Sequence, residues 1–383
     1  MVNNKNILFF YDYFFPGYKA GGPIQSLINL ALALEGVYKI SVITSAYDLH
    51  DSTQYKDITI NTWNKVSIPG SKHPINVYYN SATLDKTAYQ KILKEASPSV
   101  VYFNNIYSSQ FFQLPLQALK SITGNYKIVI CPRGMLQKGA LAVKSFKKKI
   151  YLNYLRYTGT LNNAFWHATN EGEANDIKRH FPSNQGIIIA SNIPKPPYSQ
   201  FSFPLIKTGQ LKLVYLSLIA EKKNLLLLLQ LINASEFNIK LDIYGPVADI
   251  SYWQQCEALI KQMPEKVRYK GGVQPVDVQQ VLSQYHALIL LTKGESFGHA
   301  LYECLSVGRP IITSYFTPWN ELQEKRAGLN VDISDRNDCL QMLSALLLMD
   351  QVEYNNYCSG AHMVAMEYYK NLDTEIKYKQ LFS

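Results

Sequence analysis

Cysteine is scarce: five in 383 residues, widely spaced, with no Cys-x-x-Cys. That excludes a thiol-ligated zinc site and a disulfide scaffold, and it predicts reduced thiols. Long apolar runs are missing too. The longest, 225–232, is interrupted at Gln230 and falls far short of the ~20 residues a membrane span needs. The apolar stretch 7–10 stops at Tyr11-Asp12, before the core of an export signal could form, so the sequence predicts a cytoplasmic protein. Glycine (20) and proline (17) show no period, which excludes collagen-like and low-complexity chains. No Asp-x-Asp stands at a strand end, so no catalytic metal or other cofactor is expected. What remains is a globular composition, 47% hydrophobic and 17% charged, long enough for two or three domains.

The net charge of +9 is unevenly spread: residues 1–200 carry +11 and residues 201–383 carry −2. Within 101–150 there are eight basic residues and no acidic one. A basic patch confined to one half argues against nucleic acid. It suggests an anionic partner for that half alone: a phospholipid headgroup, a lipid pyrophosphate or a polyanionic glycan.

Short apolar or β-branched runs alternate with helical patterns. Strands are predicted at 7–11, 40–44, 75–79, 100–103, 127–131, 165–168 and 186–190, then at 212–216, 240–244, 267–270, 287–292 and 310–314. Continuous apolar strands between helices indicate parallel sheets covered on both faces. Pro194, Pro196 and Pro197 interrupt any helix or central strand. The predicted organisation is therefore a first α/β domain at 1–194, a linker at 195–208 and a second α/β domain at 209–351. A C-terminal helix, about 352–383, is expected to pack back on the first. Ligands of such sheets bind at the carboxyl ends of strands.

The most informative segment runs from Thr292 to Glu303: Thr-Lys-Gly-Glu-Ser-Phe-Gly-His-Ala-Leu-Tyr-Glu. It follows a strand directly. A helix is predicted from about Ser296, capped by that serine and ended by Gly308 and Pro310. The amides of Phe297, Gly298 and His299 would then be unpaired first-turn donors, at the end of the helix dipole that favours a diphosphate. Glu303 lies one turn beyond His299, on the same face. Taken alone, two glutamates on a helix would be solvated charges.

Glu295 and Glu303 in this setting resemble the E-x7-E signature of retaining glycosyltransferase family 4. The resemblance implies a GT-B fold, two Rossmann-like domains facing a cleft, with a nucleoside-diphosphate sugar as donor substrate. It implies that Glu295 meets hydroxyls of the donor sugar and that Glu303 takes the ribose hydroxyls. The segment 216–225 resembles the family loop whose Arg and Lys neutralise the diphosphate. Lys223 matches the Lys, while Leu218 stands where the Arg is expected. Lys222 or Arg133 could supply the missing charge. Gly245, at a strand end, and Gly272-Val273, in a base-holding loop, resemble two further donor segments. Thr317-Pro318-Trp319-Asn320 is similar to a surface-loop signature of a subset of the family, with core packing as the alternative for Trp319.

In the first half, Gly21-Gly22 precede a helix in which Pro23 is expected at the first position. They resemble the family's Gly-Gly loop near the donor, whereas a dinucleotide fingerprint is not present. Cys131-Pro132-Arg133-Gly134-Met135-Leu136 resembles a stretch found in a subset of the family concerned with bacterial surface polysaccharides. A guanidinium there would suit phosphate or carboxylate. Asn104 occupies a position where relatives often have His. His167, at another strand end, is a candidate acceptor contact, with a packed core histidine as the plain alternative. Residues 138–157 read as a basic amphipathic helix, with Lys138, Lys144, Lys147, Lys148, Lys149 and Arg156 among apolar residues. Such helices bind anionic membrane surfaces, and a solvated basic face is the alternative.

Together these features predict a retaining glycosyltransferase acting on a glycan or polyprenyl-diphosphate-linked acceptor in surface-polysaccharide biosynthesis, for instance of lipopolysaccharide or capsule. It would be peripheral on the inner face of the cytoplasmic membrane. The alternatives are a sugar-nucleotide epimerase on the same fold, and a non-catalytic glycan-binding subunit, which Leu218 and Asn104 would favour.

Overall fold

The computed structural model describes residues 5–142, 145–199 and 202–383. The chain divides into two units, Met1–Ile193 with Leu372–Ser383, and Pro194–Asn371.

The sheet of the first unit contains β1 (Asn6–Phe10), β2 (Lys39–Ser45), β3 (Trp63–Val66), β4 (Ile75–Asn80), β5 (Val100–Phe103), β6 (Lys127–Ile130), β7 (Phe165–Ala168) and β8 (Gly186–Ile189). Their order is β3-β4-β2-β1-β5-β6-β7-β8. All pairings are parallel except β3, which runs antiparallel to β4 at the edge. Strand β1 is buried along its whole length. Ile7 and Phe9 enter one core layer, Leu8 and Phe10 the other, so a two-residue period with apolar residues on both faces forms a doubly covered strand.

The second unit contains β9 (Leu211–Leu216), β10 (Ile239–Tyr244), β11 (Val267–Gly271), β12 (Ala287–Leu290), β13 (Ile311–Ser314) and β14 (Gly328–Val331). They are all parallel, in the order β11-β10-β9-β12-β13-β14. In either sheet the strand order reverses beside the first strand. The crevices between β1 and β5 and between β9 and β12 are therefore topological switch points, where doubly wound sheets bind ligands.

Two strands escape the sequence reading. Strand β3 is a half-exposed edge, and β14 has four residues, one of them the polar Asn330. The expected single C-terminal helix is two helices, separated around Asn371-Leu372-Asp373. Gln351–Lys370 stays with the second unit, burying Tyr354, Cys358, Ala361 and Ala365. Thr374–Phe382 joins the first unit, where Tyr378, Leu381 and Phe382 enter its core and the Tyr378 hydroxyl donates to the Ser191 carbonyl at 3.0 Å. The segment expected as a linker has anchors in the second unit: Arg309 donates to the Ser202 carbonyl, and the Ile206 amide donates to the Gln351 side chain. The five cysteines are buried and free. Among the described residues, no helix is long and apolar enough to cross a membrane.

Candidate functional site

The second unit's switch point is built by two loops. After β9 the chain passes through a short 3-10 turn, Glu221–Lys223, and after β12 it enters the segment 291–298. Backbone and side chain stitch the loops together. The Lys293 amide donates to the Lys222 carbonyl at 2.8 Å, and the buried Thr292 hydroxyl donates to the same carbonyl at 3.2 Å. Across this seam Lys223 Nζ forms an ion pair with Glu295 Oε1, and Lys293 forms a more exposed one with Glu221 at 2.9 Å. Lys222 also feels the charge of Glu295. The two residues expected for diphosphate and sugar, Lys223 and Glu295, are thus brought into direct contact.

Gly245 fixes the shape of the β9 loop from the neighbouring strand end. With φ at 143°, it lies so close to that loop that a Cβ would stand 1.8 Å from the Ser217 carbonyl oxygen. The Ile219 amide then donates to the Pro246 carbonyl. Here glycine serves close backbone approach. Leu218, in place of a cation, lies half-buried in this loop.

The helix after Glu295 starts later than its sequence suggests. It spans His299–Ser306, with Gly298 at the N-cap and φ at 80°, and Ser296 does not cap it. The first-turn amides are those of His299, Ala300 and Leu301, in place of 297–299. The cause is Phe297, which is pulled into an aromatic cluster with His299, Tyr302, Trp319 and Tyr368 at centroid distances of 4.8, 5.9, 5.4 and 5.4 Å. Trp319 is core, and it also clasps the loop: its indole Nε1 donates to the Phe297 carbonyl at 2.6 Å. The Glu295 amide donates to the Phe316 carbonyl at 2.9 Å, which holds the segment on its other side.

Glu303 is buried on this helix, and burial raises the pKa of its carboxyl. Lys195 opposes that shift. Its ammonium lies 3.3 Å from Glu303 Oε1 and donates to the Pro275 carbonyl at 2.8 Å. Pro275 belongs to the loop after β11 that also holds the exposed Gly272 and the half-buried Val273. No local pattern marks Lys195, which sits among prolines 108 positions before its partner.

Arg133, Asn104 and His167 belong to the first unit. Arg133 takes a left-handed backbone, φ 52°, just beyond β6. Its Nε donates to Asn104 Oδ1 at 2.7 Å, one Nη to Asn192 Oδ1 and the other to the Tyr102 hydroxyl at 3.2 Å. His167 is a core histidine: its Nε2 bonds the Ala190 carbonyl at 2.7 Å and its Nδ1 the Tyr102 hydroxyl at 2.8 Å. A carbonyl only accepts, so Nε2 carries the proton and Tyr102 donates to Nδ1. Burial first, then the Arg133 charge, lowers the His167 pKa to about 3, so the ring stays neutral. Both ring nitrogens of His167 are thus engaged within the core of the first unit.

Asp12, at the end of β1, was legible only as an interruption of an apolar run. It accepts from Ser108 Oγ at 2.6 Å and from Asn105 Nδ2, across the switch point between β1 and β5. Gly21 is the N-cap of the helix Gly22–Leu34, which places Pro23 one position later than expected. The loop before it is tied down by Asp48, which accepts from the amides of Tyr18 and Lys19.

The basic region forms two helices, Lys138–Ala142 and Ser145–Tyr157; Lys144 lies outside the described residues. On the second helix, Leu152 and Leu155 are buried in the first unit. Phe146, Ile150, Tyr154 and Tyr157 are exposed, at 75%, 54%, 60% and 97%. Their spacing of four, four and three makes one stripe. The helical period sets exposed Lys147 on one flank and Lys149 and Arg156 on the other. Lys148 departs from the expected basic face: its ammonium donates to the Ala140 carbonyl at 2.5 Å and lies 5.4 Å from the Tyr107 ring centre.

Residues 199–359 match the family model described as glycosyl transferases group 1. No curated protein matches the chain. Among solved structures, a sucrose-phosphate synthase from Thermosynechococcus elongatus aligns with a TM-score of 0.74 at 14% identity, over 99% of this chain and 99% of that one. HepE from Anabaena, in complex with UDP and glucose, aligns with 0.68 at 13% identity, over 99% of this chain and 98% of that one. WaaG, a glycosyltransferase involved in lipopolysaccharide biosynthesis, aligns with 0.63 at 14% identity, over 98% of either chain. At such identities the likeness carries the fold, GT-B.

Proposed function

We propose that this chain, with a glycosyl transferases group 1 match at residues 199–359 on a GT-B fold, is a glycosyltransferase that moves a sugar, with retention, from a nucleoside diphosphate to a hydroxyl of a glycan or lipid-linked glycan. The observation that carries this reading is the Lys223–Glu295 pair at the switch point, with the buried Glu303 eight residues further on. When a donor binds, its diphosphate takes over Lys223 and the first-turn amides of the helix His299–Ser306, where the dipole is positive. Glu295 turns to the sugar hydroxyls, and Glu303 accepts from the ribose. The bond from the anomeric carbon to the diphosphate oxygen breaks. The acceptor oxygen bonds to the same face of the sugar, and its proton passes to the departing diphosphate. Charge develops on that diphosphate, so Lys223 and the amides stabilise the transition state more than the ground state.

The exposed apolar stripe of Ser145–Tyr157, flanked by Lys147, Lys149 and Arg156, supports a membrane-borne acceptor. An anionic bilayer would cover the stripe and attract the cations, and a polyprenyl-diphosphate carrier would present its glycan there. HepE is described in complex with UDP and glucose. That supports a nucleoside-diphosphate hexose as donor.

The test is transfer from a panel of nucleoside-diphosphate sugars to lipid-linked glycans, with the anomeric configuration of the product read by NMR. Transfer with retention, lost in Glu295→Gln, is the expected result. Inversion, or conversion of the donor without acceptor, would overturn the reading.

A further inference from the structure

Glu303 has an unusual companion. A buried carboxylate on a helix is set against an ammonium delivered by the segment that opens the second unit. The same ammonium donates to the carbonyl of Pro275 in the loop after β11. Lys195 is about a third exposed and Glu303 is nearly enclosed, so the negative member is the more deeply buried of the pair. Oε1 of Glu303 lies 3.3 Å from the Lys195 ammonium. A carboxylate oxygen can accept more than one donor, so the group keeps capacity for hydroxyls while its rotamer is held.

We infer that Lys195 is the positioning residue of the nucleoside pocket: one ammonium aligns the ribose-binding carboxylate of Glu303 with the base-holding loop at 272–275. The inference rests on the reading that Glu303 takes the ribose. It adds a device that opposes protonation of Glu303 and joins two segments that are not hydrogen-bonded neighbours in the sheet.

The surroundings of Glu303 make the device testable by pH. Burial raises its pKa, and Lys195 pulls it back down. Tyr302 stands beside Glu303 and His299 one turn earlier, on the same helix. From the helix Gln351–Lys370 come His362, whose ring bonds the Ser306 carbonyl, together with Tyr368 and Tyr369 beside Tyr302. Lys195 is the cation acting on the carboxyl. Removing it lets the pKa rise further, so the carboxylate is protonated at a higher pH.

Binding of UDP, GDP, ADP and TDP to the full chain is measured by calorimetry from pH 5 to pH 8, and the tightest ligand is carried into the variants Lys195→Met, Lys195→Arg, Lys195→Gln and Glu303→Gln. Lys195→Met is expected to weaken binding roughly tenfold at neutral pH and to move the acid-side loss of affinity to higher pH. Lys195→Arg restores both; Glu303→Gln binds weakly and keeps only the acid-side limb of the diphosphate itself. Wild-type affinity and pH profile in Lys195→Met would overturn the inference. So would a loss equal at every pH that Arg does not restore, since that is what a merely structural role predicts. Should Lys195→Met fail to fold, Gln against Arg, donor without charge against donor with charge, decides in the same way. Wild-type binding in Glu303→Gln, or no nucleotide bound by the unaltered chain, defeats the ribose reading itself. Weak binding in Glu303→Gln beside unchanged binding in Lys195→Met defeats the inference alone.

Discussion

The two sheets reverse their strand order in the same way, yet the two crevices hold opposite chemistries. Beside β1 and β5, two charged groups hydrogen-bond to neutral partners: Asp12 accepts from Asn105 and Ser108, and Arg133 donates to Asn104, Asn192 and Tyr102. Between β9 and β12, charge meets charge: Lys223 with Glu295 and Lys293 with Glu221. Directional bonds to neutral amides and hydroxyls, made largely out of water, lock a shape. A partly exposed ion pair can exchange its partner for a ligand of the same charge, because water screens the moment of exchange. One topology thus provides a rigid wall in the first unit and a responsive one in the second, which fits the rule that function resides in sites grafted onto a fold.

The sharpest way to break this comparison is to remove charge from the responsive crevice. Glu295→Ala and Lys223→Met should each lower the transfer rate by roughly a thousandfold, read from steady-state kinetics, while the folded far-UV spectrum persists. A silent Lys223→Met would show that the pair is only a scaffold. In the rigid crevice the same experiment should register as stability. Arg133→Lys keeps the charge but loses the fork, and should cost roughly 3 kcal/mol in urea unfolding. Outside that crevice, in the second unit, Arg309→Lys gives a reference: that buried guanidinium donates to the carbonyls of Tyr285, Ser202, Val307, Gly308 and Ser283, and its loss should be similar.

On the exposed helix, Lys147→Ala or Lys149→Ala should each reduce partitioning onto anionic vesicles by roughly fivefold, from ~1 kcal/mol per basic residue, measured by flotation. Phe146→Ser and Ile150→Ser should reduce it as well while leaving the thermal midpoint unchanged, because both side chains stand free of the core. The smallest effect concerns Asp12. Burial raises its carboxyl pKa in the folded protein. A raised acid binds protons more tightly folded than unfolded. Its stabilising share is therefore complete below the ordinary aspartate pKa and lost as pH rises through the folded value. The stability of the unaltered chain relative to Asp12→Asn should fall as pH rises through that window, by urea titration. An unchanged difference would mean that the first crevice is as well solvated as the second.

Much of this design can be read from the chain alone, for physical reasons. Strands such as Ile-Leu-Phe-Phe at 7–10 are apolar on both faces, and only a doubly covered parallel sheet buries both. Glu295 and Glu303 are recognisable because strand, turn and helix follow one another within twelve residues. What is hidden has long-range causes. Lys195 gains its meaning from Glu303 and Pro275, which only the tertiary fold brings near. The late helix start follows from Phe297 choosing the aromatic cluster, which outweighs the capping preference of Ser296. The basic helix turns out two-faced because apolar residues do not declare which side will meet the core. Leu152 and Leu155 do, while Phe146 and Ile150 do not.

Trp319 has a practical consequence. The chain holds four tryptophans, at 63, 166, 253 and 319, and the last is tied to the segment ahead of the helix His299–Ser306. An indole whose N–H is tied to that segment's carbonyl changes its emission when the tie is strained. The protein therefore contains its own optical reporter, and a variant keeping Trp319 as the sole tryptophan would signal ligand arrival without any label.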